Sequence, residues 1–177
     1  HRNSSYQVFD SAIGLLNSRG YTVVRMGRFA SNSIDTSTNL VWDYAKSGLQ
    51  SDELDLYIFE KSEFCISTRY GVDEIALLFE KPLVLMDHGE DLFCPQADYL
   101  LPKIFTWMES GELLTLDEIN QLRVADFRSN SDFVNAGISW KSNTNEDVYK
   151  AMNEYLTNRG RLTDKTRLST YWGNFQT

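Results

Sequence analysis

The chain has 177 residues, 42% hydrophobic and 13% aromatic, enough for one domain or slightly more with a real core. Its net charge of −8, from 25 acidic and 17 basic residues, excludes a nucleic-acid surface, which needs a basic footprint, but not a small anion held by one or two arginines. No segment has the unbroken apolar run of a membrane span.

The chain starts at His1 with neither an initiator Met nor a signal-peptide pattern, so a domain cut from a longer protein, or a processed product, is expected. Asn3 or Ser4 can cap a first helix, with Val8, Phe9, Ala12, Ile13, Leu15 and Leu16 at helical spacing and Gly20 ending it. Tyr21 to Met26 is a β-branched strand, Gly27 to Asn39 a polar loop, and Leu40 to Tyr44 a short apolar strand. Ser51 or Asp52 opens a helix to about Lys61. Phe64 to Ile66 reads as a strand, and Ser67, Thr68, Arg69, Tyr70 and Gly71 as a polar turn. Val72 to Phe79 has helical spacing, Lys81-Pro82 ends it, and Leu83 to Met86 is the next strand.

Further on, residues 88–104 read as a long loop with Gly89, Pro95 and Pro102. Trp107 and Met108 belong to an apolar element that Gly111 ends. Thr115 with Glu118 fits a capping box for a helix from Leu116 to about Ala125, and Ser129 to Asp132 reads as a turn. Gly137 to Trp140 is a short strand, and Thr144 with Asp147 caps a helix through Val148, Ala151, Met152, Tyr155 and Leu156. Residues 1–160 are read as one domain and 161–177 as a tail whose Tyr171, Trp172 and Phe175 pack back on it. Cys65 and Cys94 make no zinc pattern and no CxxC pair, so two free thiols in a reducing compartment are expected.

Up to Asp87 the order is α-β-β-α-β-α-β, which predicts an α/β fold with a mainly parallel sheet covered on both faces. Ligands of such sheets bind at the carboxyl ends of the strands, here Gly27, Ser67 to Gly71, Asp87 and His88. The turn after Ile66 has hydroxyls, a cation and a glycine at a helix start, where unpaired N–H groups suit a phosphate. An ordinary βαβ crossover, in which Ser67 and Thr68 only cap the helix, explains the same residues.

The ordered set His1-Arg2-Asn3, Val24-Arg-Met-Gly27, Trp42-Asp-Tyr-Ala45, Leu54-Asp-Leu-Tyr57 and Glu63 to Asp87 resembles a little-characterised group of bacterial glycosyltransferases. Thr115-Leu-Asp-Glu118 and Asn143-Thr-Asn-Glu146 fit it as well, and the resemblance covers roughly residues 1–156. It implies the GT-B plan of two Rossmann-like domains, with this chain as the C-terminal, nucleotide-sugar-binding half. That half is a three-layer α/β/α domain. The amino-terminal acceptor domain, and a general base with it, would lie elsewhere in the protein. The reaction implied is sugar transfer from a nucleoside diphosphate donor to an acceptor hydroxyl, in surface-polysaccharide synthesis. No further cofactor or metal is implied. The location implied is cytoplasmic, with membrane association through other parts of the full-length protein.

The spacing Gly71-Val-Asp-Glu-Ile-Ala76 to Lys81-Pro82 is also similar to that of nucleotide-sugar 2-epimerases, so an epimerase-like activity is an alternative. A non-catalytic binding or scaffold module is another. The glycosyltransferase group usually has a small residue, often Ser, before the helix-opening glycine. This chain has Arg69-Tyr70, which either strengthens phosphate binding or blocks the pocket.

Carried onto this chain, Ser67, Thr68 and Gly71 are expected at the diphosphate, with Arg69 beside it. Arg25, just before Gly27, is the candidate for stabilising the leaving diphosphate in place of a metal; pairing with Asp43 is its alternative. Glu74 matches the acidic residue that accepts from the ribose hydroxyls, or else only favours the helix N-terminus with Asp73. Asp43 and Tyr44 are placed against the nucleobase or the pocket wall, and Asp55 faces the cleft or is helix-surface decoration. His88 is a general base or, more plainly, a solvent-facing loop histidine. Neither a metal-ligand spacing nor a Ser-His-Asp arrangement can be assembled.

Overall fold

The computed structural model describes residues 5–27, 33–34, 36–38, 40–69, 71, 73–89, 94, 96–161 and 167–168. Expectations for Asn3, Ser4, Tyr70, Val72, Tyr171, Trp172 and Phe175 lie outside them.

The described order begins with a 3-10 turn, Tyr6–Phe9, leading into α1, Asp10–Ser18. Then come β1, Val23–Val24; β2, Val41–Trp42; α2, Asp52–Lys61; β3, Cys65–Ser67; α3, Asp73–Leu78; and β4, Leu83–His88. The predicted alternation is present, but the first two strands are shorter than expected. Tyr44, read as the end of a strand, instead opens a 3-10 turn, Tyr44–Lys46, pinned by Ala45 N–H donating to the Arg25 carbonyl at 2.9 Å.

The chain continues through β5, Tyr99–Pro102; β6, Ile104–Trp107; α4, Leu116–Gln121; α5, Asn130–Asn135; β7, Ile138–Lys141; α6, Asn145–Asn158; and β8, Arg167–Leu168. Three expectations fail here. Residues 99–102, assigned to the long loop, form a fully buried strand, because Pro102 closes β5 rather than interrupting it. Ser129 to Asp132 is not a turn between elements. Ser129 accepts from the backbone of Asp132 and Asp132 reaches back to the Ser129 N–H at 2.8 Å, a capping box that starts α5. The helix from Leu116 also stops at Gln121, before a separate 3-10 turn at Val124–Asp126.

β3, β4, β5 and β8 form a parallel sheet in that order, β1 and β2 a parallel pair, and β6 and β7 an antiparallel pair. Tyr21, just before β1, meets Phe64, just before β3, edge to face at 5.5 Å. Val23 of β1 and Ile66 of β3 pack on the same core.

The period-two alternation of β4 sorts its side chains onto two cores. Val84 and Met86 join Tyr99 and Leu101 under α1 and α6; Leu83 and Leu85 join Leu100, Cys94 and Ala97 on the other face, where Leu77 of α3 packs. With both faces buried, β4 has no polar alternation, which is why it reads as a continuous apolar run.

α1 and α6 run side by side in the same direction. Asn145 accepts from the Ser11 N–H at 2.9 Å, and eight residues on in both helices Asn153 accepts from Arg19 at 2.6 Å. α6 turns Val148, Ala151, Met152 and Tyr155 inward at the i, i+3, i+4, i+7 spacing. Its start is a full capping box: Thr144 Oγ1 accepts from the Asp147 N–H at 3.2 Å, and Asp147 accepts from the Thr144 N–H at 2.8 Å. Replacing Thr144 by alanine is expected to cost about 1 kcal/mol, read as a lower urea midpoint at unchanged slope.

Candidate functional site

The predicted site residues fall into two groups at the carboxyl ends of β1 and β3. In the first, Arg25 leaves β1 with its backbone fixed by β2, its N–H donating to the Trp42 carbonyl at 3.0 Å. Its Nε lies 3.0 Å from Asp43 Oδ1, and its guanidinium stands 5.9 Å over the Tyr6 ring. Asp43 is buried and also accepts the Ile34 N–H at 3.1 Å. The expected alternative for Arg25, an ion pair with Asp43, is therefore present. Gly27 has φ 129°, a conformation that favours glycine, and its carbonyl accepts from Gln50 at 3.2 Å.

The wall beside this group is aromatic. Trp42 and Tyr44 meet edge to face at 5.1 Å. The Tyr44 hydroxyl donates to Asp55 at 2.6 Å and accepts the Ser51 N–H at 3.1 Å. Asp55 thereby anchors the start of α2 to the turn after β2.

In the second group, the Ser67 hydroxyl accepts the Arg69 N–H at 2.9 Å, so it shapes its own turn. Among the described residues, the Thr68 hydroxyl has no hydrogen-bond partner and is free to meet a ligand. Among the described residues of the turn, the left-handed one is Arg69, at φ 74°. A Cβ on Gly71 would meet open space, so nothing described crowds that position. The half-buried Arg69 guanidinium donates to the Cys94 sulfur.

α3 is six residues long, shorter than the expected Val72 to Phe79. Glu74 is exposed in its first turn, whereas Asp73 beside it is buried. Burial, assisted by the Asp73 charge, pushes the Cys65 thiol up to about 12. Neither cysteine is in a disulfide.

At the end of β4 the structure departs from the sequence reading. His88 is buried inside the strand and is not a solvent-facing loop residue. Asp87, at φ 53°, lies where the ladder to β5 shifts register. It forms a buried ion pair with Lys103 at 2.7 Å and accepts the Asn143 N–H at 2.7 Å and the Asn143 side-chain amide at 3.0 Å. Lys103 also donates to Ser142 at 2.9 Å. Sequence reasoning missed this network, and nothing in Pro102-Lys103-Ile104 signals it, because a lysine is almost never fully buried.

Among the described residues, no group of three or more His, Cys, Asp and Glu could hold a metal ion, and no helix is long and apolar enough to cross a membrane. No protein-family profile, curated protein or solved structure matches the chain.

Proposed function

We propose that this chain is the C-terminal, nucleotide-sugar-binding half of a GT-B-type glycosyltransferase, in a Rossmann-like three-layer arrangement. The observation that carries the reading is the edge-to-face contact of Tyr21, just before β1, with Phe64, just before β3. In this reading the separate β1–β2 pair continues the β3-β4-β5 sheet beyond β3, which would give the order 2-1-3-4-5. The chain order then reverses between β1 and β3, and open α/β sheets bind their ligands at such a switch. Arg25 to Gly27 and Ser67 to Gly71 are the residues that leave those two strands.

In this reading the diphosphate of the donor lies on the β3 turn. Thr68 and Arg69 donate to it, Ser67 holds the turn, and Arg25 faces it from β1 with its charge oriented by Asp43. These groups stabilise negative charge as the nucleoside diphosphate departs. Trp42 and Tyr44 form the wall for the base, and Glu74 accepts from the ribose. The acceptor and the general base belong to the amino-terminal domain.

The test is isothermal titration of the protein with nucleoside diphosphates. Arg69→Ala and Thr68→Ala are each expected to weaken binding about tenfold to a hundredfold, the effect of a hydrogen bond to a charged group. Unchanged affinity in both variants would place the ligand elsewhere.

A second reading, a non-catalytic binding module, is favoured by one feature. Arg25, Asp43, Ser67 and Arg69 all have partners within the protein. It predicts no nucleotide binding at all.

A further inference from the structure

Gln50 closes a ring of hydrogen bonds on the segment that carries Arg25. Its side-chain amide donates to the Ala45 carbonyl at 2.7 Å and to the Gly27 carbonyl at 3.2 Å. Ala45 in turn donates its N–H to the Arg25 carbonyl at 2.9 Å. The ring runs from Arg25 through Gly27 to Gln50, on to Ala45 and back to Arg25. Among the described residues, Gln50 is the one side chain that donates to the Gly27 carbonyl.

Gln50 is exposed, so burial does not hold it in place. Its neighbours do. The Leu49 N–H donates to Ser47 Oγ at 3.1 Å, and the Ser51 N–H to the Tyr44 hydroxyl at 3.1 Å, which fixes the backbone on both sides. Both groups facing its amide are carbonyl oxygens, so only the nitrogen can face them.

Gly27, by contrast, is the position at which the segment has conformational freedom. At φ 129° it occupies a region that favours glycine, and nothing described lies within 4 Å of where a Cβ would stand. A segment with that freedom loses entropy when a ligand fixes it, and a preformed one loses less.

We infer that Gln50 is a positioning residue for the anion: it holds the Arg25–Gly27 segment in the conformation that presents Arg25 to the diphosphate. The inference rests on the diphosphate site proposed above. Gln50 itself touches neither phosphate nor nucleoside. It acts through Arg25, so it serves every ligand that carries a diphosphate, with or without a base.

Gln50→Met keeps the length of the side chain and removes both donors. The test is calorimetric titration of wild type and variant, both unfolding cooperatively, with pyrophosphate, UDP and GDP. Gln50→Met is expected to weaken pyrophosphate and the nucleotide that binds by the same factor, about threefold to tenfold, the weight of a neutral hydrogen bond. Should Gln50→Met lose cooperative unfolding, Gln50→Ala takes its place.

Unchanged affinity for both kinds of ligand overturns the inference and leaves Gln50 as a clip between two loops. A loss confined to the nucleotide also overturns it, because Gln50 would then meet the nucleoside directly. Nucleotide binding with no pyrophosphate binding in wild type overturns it too, since the diphosphate would not be the part held. No binding of any of the three overturns the diphosphate site along with it.

Discussion

Replacing Lys103 by alanine is expected to lower the unfolding free energy by about 3–5 kcal/mol, because it strands a buried carboxylate. Asp87 is wholly inaccessible and Lys103 is 1% exposed. Their 2.7 Å contact joins the end of β4 to the β5–β6 junction, and Asn143 adds the connection from β7 to α6. Asn143 also donates to the Pro102 carbonyl at 2.8 Å, and the Lys103 N–H to the His88 carbonyl at 2.7 Å. One charge therefore holds the ends of three elements.

Removing both charges is a different matter. A Asp87→Leu, Lys103→Met pair is expected to recover most of the loss, since well-packed apolar replacements of buried ion pairs are often neutral. Urea unfolding of the single and double variants checks this. A single-variant loss below about 1 kcal/mol would mean that water reaches the pair.

Phe133→Ala is the second large effect, also about 3–5 kcal/mol, from lost burial and the cavity left behind. Phe133 lies fully buried in α5, and its ring meets Phe127 at 4.9 Å, Trp140 at 5.0 Å and Phe105 at 5.9 Å. It is the centre on which β6, β7 and the turn before α5 pack. Val134 beside it is 56% exposed, so Val134→Ala should stay within about 0.5 kcal/mol. Equal losses at the two positions, in thermal or urea unfolding, would contradict this packing.

Phe133 also shows what the sequence made legible and what it did not. Ser51, Thr115 and Thr144 were readable as caps, because a cap needs only neighbours within three residues. Ser129 carries the same kind of signal, Ser followed by Asp at the third position, but reads equally well as a turn until the buried Phe133 decides it. β5 was hidden by Pro102, whose missing N–H suggested a loop although it stands at the strand end. The alternation from α1 to β4 was legible because each element there carries its own periodicity.

The site divides the same way. That Ser67 to Gly71 and Arg25 to Gly27 leave parallel strands followed from local pattern. That Arg69 is left-handed did not, since positive φ at a non-glycine is uncommon. The pairings Arg25–Asp43, Arg69–Cys94 and Asp87–Lys103 cross 16 to 25 residues or are one of two open choices, and only packing selects them.

The most direct measurement is thermal unfolding of the folded protein against a panel of UDP-, GDP- and CMP-type ligands. A nucleotide-sugar-binding half predicts that at least one raises the midpoint in a concentration-dependent way, by about 2.7 kcal/mol of stability at a hundred times Kd. It also predicts that Arg69→Ala removes that rise. No shift with any nucleotide at millimolar concentration, in protein that unfolds cooperatively, would contradict the glycosyltransferase reading and favour the binding module.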